Sequence, residues 1–148
     1  MIALLQRARD AKVTIDGQIS GQIDHGLLIL LGVFEDDSSE DVEYLAEKSA
    51  NLRIFNDEDD KMNLSVKDVG GSALMVSQFT LCADTKKGRR PSYIHAADPD
   101  MATELYEEFM QQLRQQDVEV ASGEFGAMMD VHLVNEGPVT IILDSKNR

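Results

Sequence analysis

The run Gly26-Leu27-Leu28-Ile29-Leu30-Leu31-Gly32-Val33 constrains the fold of this chain more than any other segment. Its apolar side chains fall on both alternating faces of an extended chain, which is typical of a central strand covered on both sides. Upstream, Asp16-Gly17 lies between two strand-like segments, residues 13–15 and 18–20. This dipeptide favours a two-residue type I′ hairpin. A further short strand is predicted at residues 2–5.

Two helices are predicted from capping residues and apolar spacing. The first begins at Ser38 or Ser39 and extends to about Leu52, with acidic residues in its first turn. The second follows Asp98-Pro99, where apolar residues recur every four positions and form one buried stripe. The residues of that stripe are Met101, Leu105, Phe109 and Leu113.

Four more segments are predicted to be strands: residues 73–79, 118–121, 128–134 and 139–143. No repeat and no low-complexity linker divides the sequence. We therefore predict a single domain, residues 1–148, of mixed α/β (α+β) class. Its two main helices cover part of one large sheet that is mostly antiparallel or mixed.

The charge of the chain argues against non-specific nucleic-acid binding. It has 14 Lys and Arg against 27 Asp and Glu, a formal net charge of −13, whereas phosphate contacts require clustered cations. Four cations nevertheless fall within five residues: Lys86, Lys87, Arg89 and Arg90. A local basic patch and an ordinary solvated loop explain this run equally well.

The apolar stretch after Met1 is too short for the core of a signal peptide, and no stretch reaches the length of a membrane span. These features predict a cytoplasmic protein without membrane contact. Cys82 is the single cysteine, so an internal disulfide is excluded.

The sequence has no clear signature of a cysteine-dependent active site or of a metal site. Cys82 lacks any local signature that links it to a histidine base, and it is interpreted as a structural thiol near the end of a strand. His25 and His132 are interpreted as surface or packing residues. The acidic run at residues 56–61 has Lys61 where a calcium loop needs glycine. No metal and no cofactor are expected.

Two polar segments are less ordinary. At residues 76–81 a predicted strand ends in Ser77, Gln78 and Thr80 around Phe79, and such polar side chains also occur at a sheet edge. If the strand continued, Ser77 and Phe79 would point to one face and Gln78 and Thr80 to the other.

The second polar segment is Asn135-Glu136-Gly137-Pro138-Val139-Thr140, in which Gly137-Pro138 interrupts two apolar runs. On local grounds this pair predicts a hairpin turn. The Gly-Pro bond is also a position where a cis peptide is plausible.

Ser77-Gln78-Phe79-Thr80-Leu81 together with the segment at residues 135–140 resembles the paired signature of the D-aminoacyl-tRNA deacylases. Four other segments resemble family segments in the same order, so the similarity covers nearly the whole chain. They are Asn51-Leu52-Arg53-Ile54-Phe55, Lys61-Met62-Asn63-Leu64-Ser65, Lys87-Gly88-Arg89-Arg90-Pro91-Ser92 and Phe125-Gly126-Ala127-Met128-Met129.

The resemblance implies a homodimer that hydrolyses the ester joining a D-amino acid to the terminal adenosine of tRNA. It also implies cleavage of glycine mischarged on alanine tRNA, and rejection of L-aminoacyl-tRNA. One subunit would supply the catalytic segment and the other a Gly-cis-Pro segment across a shared pocket. By this resemblance the catalytic residues would be Ser77, Gln78, Phe79 and Thr80, and the cross-subunit residues would be Asn135, Gly137, Pro138, Val139 and Thr140. The acceptor end of the tRNA would bind near Lys86, Lys87, Arg89 and Arg90.

The family mechanism uses the 2′-hydroxyl of the terminal ribose to activate water, and backbone N–H groups near Phe79 and Thr80 are candidate oxyanion donors. Thr80 as a direct nucleophile is an alternative for which the sequence supplies no base. Two further alternatives stay open. One is a non-catalytic RNA-binding or dimerisation module, and the other is a hydrolase that depends on Cys82.

Overall fold

The structure, a computed structural model, describes residues 1–148 and centres on a five-stranded mixed sheet in the order β6-β5-β2-β1-β7. A separate two-stranded ribbon pairs β3 with β4. The elements in chain order are β1 (Ile2–Ile15), β2 (Gln18–Gly32), α1 (Ser39–Asn51), β3 (Phe55–Asn56), β4 (Met62–Leu64), β5 (Ser72–Ser77), a 3₁₀ helix (Phe79–Cys82), α2 (Pro99–Gln115), β6 (Glu119–Ser122) and β7 (Asp130–Asp144).

The predicted hairpin and central strand are confirmed. Asp16 and Gly17 have φ values of 51° and 79°, as a type I′ turn requires at both of its central residues. Strand β2 pairs antiparallel with β1 and parallel with β5, so it lies in the middle of the sheet. The short strands predicted within residues 2–15 and 18–33 are in fact two long strands, because the polar residues between the apolar runs stay hydrogen-bonded across the hairpin.

Both faces of the sheet carry a core. A cluster of 22 buried residues joins one face to helices α1 and α2, and a cluster of seven fills the other face. The sheet curls around this smaller cluster, bringing the start of β2 against β6. At Gly21 a Cβ atom would lie 2.4 Å from the Ser122 carbonyl oxygen, so only glycine fits this close approach.

Both predicted helices are confirmed at their caps. Ser38 caps α1, with its backbone N–H donating to the Asp41 carboxylate at 2.9 Å. Asp98 caps α2 by accepting from the N–H groups of Asp100 and Met101. Of the predicted stripe on α2, Met101 is partly buried and the other three residues are buried. Neither helix has the length and apolar character needed to traverse a bilayer.

The strand predicted at residues 73–79 ends earlier, at Ser77. The N–H of Gln78 still donates to the carbonyl of Leu31 on β2, but the next donor, Leu81 N–H, turns back to the Gln78 carbonyl. Phe79–Cys82 therefore forms a 3₁₀ helix. The predicted alternation of side chains beyond Ser77 is wrong, and Cys82 lies in this helix rather than at a strand end.

The hairpin predicted at Gly137-Pro138 is also wrong. The apolar runs on either side of this pair both bond to β1, with Ala8 opposite Asn135 and Gln6 opposite Thr140. They form one strand, β7, which bulges where residues 136–139 face the single residue Arg7. A bulge of this kind keeps the chain direction and pushes the extra residues out of the ladder.

An ionic cluster links the start of α1 to the chain end after β7. The Asp41 carboxylate accepts from Lys146 Nζ at 2.9 Å and is buried. Burial alone would raise the pKa of Asp41, but hydrogen bonds from Ser145, Lys146 and the Ser38 backbone outweigh burial. The pKa of Asp41 is therefore held well below its usual range, so the ionised form stabilises the fold.

We expect Asp41→Asn to lower the free energy of unfolding at pH 7 by about 1.5 to 3 kcal/mol, the range for a hydrogen bond to a charged group. Because the folded-state pKa is depressed, this contribution is fully present above the unfolded pKa of about 3.9. It is lost progressively as the pH falls from there through the folded-state pKa. Denaturant unfolding at several pH values, with Glu40→Gln at an exposed position of the same helix turn as control, measures the difference. A difference between wild type and Asp41→Asn that persists unchanged at pH 2.5, about 1.4 units below that unfolded pKa, would contradict this account.

Candidate active site

The segment at Ser77 to Thr80 leaves the end of β5 and enters the 3₁₀ helix. Phe79 and Thr80 stand in the first turn of this helix, where backbone N–H groups have no acceptor inside the helix. The Phe79 side chain is 57% exposed, yet it is oriented by an edge contact with the Tyr93 ring at 4.9 Å. The Gln78 amide donates to the Thr80 hydroxyl. The segment thus presents free donors beside a fixed aromatic ring.

Two cavities flank this segment. One, of about 340 Å³, lies beside the start of α2 and has a mostly apolar lining. The other, of about 390 Å³, extends along Met128 and Met129. Ser77, Phe79 and Phe125 line both of them. There is therefore room on either side of Phe79 for a planar group and for an attached side chain.

The second polar segment is the bulge of β7. Asn135 closes the bulge, because its Oδ1 accepts from the Val139 N–H at 3.0 Å and its Nδ2 donates to the Thr140 hydroxyl at 3.0 Å. The peptide bond Gly137-Pro138 is cis, as the resemblance implies. Gly137 and Pro138 are exposed, so their backbone is available to a neighbouring molecule.

Arg7 anchors this bulge from β1, and no sequence motif indicated it. Its side chain is nearly buried, with Nε donating to the Glu136 carbonyl at 3.0 Å. Its Nη1 donates to the Ile54 carbonyl at 2.9 Å and to Asn56 Oδ1 at 3.0 Å. A Cβ on Gly137, whose φ is 129°, would lie 3.1 Å from Arg7 Nη2. Arg7 and Gly137 therefore fit each other closely.

Within one chain the two polar segments are far apart. In the register of the sheet, Ser77 of β5 pairs with Leu31 of β2. Arg7 of β1, which faces the bulge, pairs with Leu27 of β2, four residues before Leu31. Three strand spacings and four residues along the strands place the segments roughly 20 Å apart. The cavities beside Ser77 are lined by neither Gly137 nor Pro138.

The basic run forms an exposed loop beside the first segment. Backbone hydrogen bonds between Asp84 and Ser92, of 2.8 and 2.9 Å, close the loop at its base, and Tyr93, which contacts Phe79, follows directly. The six ion pairs of the chain involve none of the loop cations. Those cations are Lys86, Lys87, Arg89 and Arg90, all exposed.

Cys82 has the environment of a structural thiol. It is buried and its thiol donates to the Val33 carbonyl at 3.3 Å. Burial, together with the nearby charge of Asp37, raises the pKa of the Cys82 thiol to about 11. The thiolate that a cysteine nucleophile needs is thus disfavoured at neutral pH.

The histidines lie elsewhere. His25 pairs with Glu136 of the β7 bulge at 3.2 Å, and its side chain is 42% exposed. It is a surface residue, as predicted, and it lies beside the second polar segment. His95 pairs with Glu35 at 2.9 Å, and His132 lies 3.5 Å from the Thr14 hydroxyl. No group of three or more potential metal ligands is gathered in one place.

Comparisons with known proteins agree with the sequence motifs. The family model described as D-Tyr-tRNA(Tyr) deacylase matches residues 4–144. A D-aminoacyl-tRNA deacylase of Thermosipho africanus is 57% identical over 146 residues, covering 99% of this chain and 98% of the relative. The protein of the same name from Bacillus licheniformis is 58% identical, with 99% of each chain covered.

Two solved structures share the fold. A c-Myc DNA unwinding element binding protein is 38% identical, with a TM-score of 0.91 over 97% of this chain and 98% of the other. A probable eukaryotic D-amino acid tRNA deacylase is 17% identical and has a TM-score of 0.81, with 96% and 97% covered. The second likeness concerns the fold alone. The family model and the close relatives together show that the chain belongs to the D-Tyr-tRNA(Tyr) deacylase family of hydrolases.

Proposed function

We propose that this protein hydrolyses the ester of D-aminoacyl-tRNA in a site assembled from two copies of the chain. The observation that carries the proposal is that the two polar segments lie on β5 and β7, with β2 and β1 between them. Strand geometry puts them roughly 20 Å apart. Neither segment is a complete site by itself. Ser77 to Thr80 offers donors and cavities, and the bulge at Gly137-Pro138 offers exposed backbone.

The proposed second copy would pack on the sheet face between the segments. Ile142, Leu4 and Leu30 form one row across β7, β1 and β2. Ile142 is 66% exposed, and Leu4 and Leu30 are partly exposed. Burial of such a row is a favourable basis for a two-fold interface. In the proposed dimer, a two-fold axis parallel to this face and midway between the segments would bring Phe79 of each chain to the bulge of the partner subunit.

The chemistry proposed for this site needs no titrating nucleophile. The N–H groups of Phe79 and Thr80 would donate to the oxyanion that develops on the ester carbonyl. The 2′-hydroxyl of the terminal ribose would activate the attacking water. Thr80 is a poor nucleophile here, because its hydroxyl is hydrogen-bonded by the Gln78 amide and an amide is not a base.

Stereochemical selection would come from exclusion rather than attraction. D- and L-esters contain the same groups and differ only in where the side chain points from Cα. A rigid backbone wall at Gly137 and Pro138 would leave room for hydrogen and reject an L side chain. Arg7 and Asn135 hold that backbone in place. Glycine has no side chain to reject, so glycyl-tRNA would be cleaved as well.

The basic loop is the proposed contact for the acceptor end of the tRNA. Its four cations are exposed and unpaired within the chain, and the base of the loop adjoins Phe79 through Tyr93. Contacts to phosphate would carry the affinity with little readout of base sequence. Since aminoacyl-tRNA is a cytoplasmic substrate, the proposal places the protein in the cytoplasm.

A second candidate function is nucleic-acid binding without catalysis. The c-Myc DNA unwinding element binding protein, which shares this fold, is named for binding a DNA element, and the exposed basic loop is the surface that would serve such binding. The net charge of −13 weighs against it. Hydrolysis of an aminoacyl ester separates the two candidates.

We expect wild-type protein to release the amino acid from D-aminoacyl-tRNA and glycyl-tRNA, and to leave the matched L-aminoacyl-tRNA intact. Single-turnover deacylation of labelled substrates measures all three rates. Cys82→Ser serves as the matched variant for the thiol alternative. We expect it to retain wild-type rates, because the buried Cys82 thiol donates to the Val33 carbonyl and lines neither cavity beside Phe79. Equal rates on D- and L-esters would contradict the proposed exclusion of L side chains by the Gly137-Pro138 backbone. Loss of activity in Cys82→Ser would favour a hydrolase that uses the thiol.

Replacing Lys86 and Lys87 together by Ala should raise KM for aminoacyl-tRNA with little change in kcat. Two lost phosphate contacts should also reduce the slope of log KM against log salt concentration by up to about 1.4 to 1.8. Replacing Lys61 and Lys67, which lie outside this loop, is the matched control. If the slope of log KM against log salt concentration is unchanged, Lys86 and Lys87 do not contact the tRNA, and the RNA-binding surface lies elsewhere on the protein.

A further inference from the structure

Glu136, the residue directly before Gly137, is held at two points from two different strands. Its carbonyl accepts from Arg7 of β1 at 3.0 Å, and its carboxylate lies 3.2 Å from His25 Nε2 of β2. An ionised carboxylate only accepts hydrogen bonds, so the Nε2 proton of His25 makes this contact. The two contacts together fix both the peptide and the side chain at the entrance to the bulge.

We propose that His25 and Glu136 are a positioning pair that sets the direction of the Gly137-Pro138 backbone, and through it the discrimination between D- and L-substrates in the partner subunit's pocket. This inference rests on the proposed function, since that function gives the bulge its role as a wall. Neither residue touches the substrate in this account. They act through the backbone that they orient.

The short strand β3 contacts both side chains that hold Glu136, namely His25 and Arg7. The Phe55 ring, which is buried, meets the His25 ring edge-on at 5.3 Å. The next residue, Asn56, accepts from Arg7 Nη1 at 3.0 Å. His25 and Arg7 are therefore both oriented by neighbouring positions of one element, which gives the bulge a common support.

Packing does not hold the Glu136 side chain. A polar cavity of about 280 Å³ lies beside it, lined also by Arg7, His25, Asn56 and Asp60. Without His25 the carboxylate can swing into this space, toward Arg7 Nε, which is 3.9 Å away. The hydrogen bond from His25 is therefore what selects the position of Glu136.

The pair is a weak candidate for a stabilising device. The side chains of His25 and Glu136 are 42% and 41% exposed, and ion pairs at such exposure add little to folding stability. Because the His25–Glu136 pair lies beside Gly137, we assign it to orienting the Gly137-Pro138 backbone and not to stabilising the fold.

The test compares kcat and KM for D-aminoacyl-tRNA, and the ratio of D- to L-hydrolysis, in His25→Ala, His25→Gln and Glu136→Ala. We expect His25→Ala to lower kcat and the D-to-L ratio by about three- to fivefold, the upper range for a half-exposed pair. KM should stay near wild type, because the proposed tRNA contacts lie in the basic loop. His25→Gln should restore most of the loss, since its amide can donate the same hydrogen bond.

Two further variants separate positioning from general damage. The double variant His25→Ala/Glu136→Ala should lose no more than either single variant, because both remove one shared interaction. His132→Ala, at an exposed histidine elsewhere on β7, is the matched control and should behave as wild type. A His25→Ala protein with wild-type kcat and D-to-L ratio would overturn the proposal. So would a loss that His25→Gln does not restore.

An NMR measurement tests the positioning by His25 and Glu136 without relying on deacylase activity. The backbone amide resonance of Gly137 should move in His25→Ala and return in His25→Gln, while that of Gly17 in the distant hairpin stays fixed. If the wild type fails to cleave D-aminoacyl-tRNA, the proposed function fails and this resonance still tests the positioning. An unmoved Gly137 resonance would overturn the pair as a positioning device.

Discussion

The bulge of β7 over Arg7 is the constraint on which the rest of the site depends. Four residues of β7 face one residue of β1, and a nearly buried guanidinium fills the position where they diverge. Its donors satisfy the Ile54 carbonyl and the Asn56 amide oxygen as well as the bulge. Removing a buried charge from such a network leaves several acceptors unpaired. Arg7 thus links the exposed Gly137-Pro138 backbone to the folded core.

The geometry of the sheet determines how a complete site can arise. Ser77 lies on β5 and the bulge lies on β7, with β2 and β1 between them. A sheet cannot bring these strands closer without breaking its ladder, so the two segments cannot meet within one chain. The proposed assembly of two copies would bring them together, and it would explain why a polar segment with no base and an exposed backbone bulge occur in one small domain.

The sequence predicted those features that depend on neighbouring residues. Asp16-Gly17 specifies its hairpin, and Ser38 and Asp98 specify helix starts, because each acts on backbone groups within a few residues. The Gly137-Pro138 pair was misread because a turn and a bulge have the same local signature. Which of them forms depends on whether the flanking runs pair with each other or with a third strand, here β1.

Long-range partners explain the remaining errors. Arg7 contacts residues that are 47, 49 and 129 positions away, and no spacing rule connects them. The early end of β5 at Ser77 likewise depends on the last bond to β2, at Leu31, and not on any breaker residue. The residue types of both polar segments were visible in the sequence. Their separation in the fold, which argues for two chains, was not.

The most direct measurement of the two-chain site is subunit complementation. Phe79→Ala removes the exposed ring from one segment, and Gly137→Val places a side chain where φ is 129° and a Cβ would crowd Val139. Each variant alone should have little activity on D-aminoacyl-tRNA. When the two variants are mixed in equal amounts and their subunits exchange, half of the dimers contain one subunit of each variant. Each mixed dimer has one intact site of two, so the mixture should regain about a quarter of wild-type activity. A mixture no more active than the average of the two variants would contradict the account.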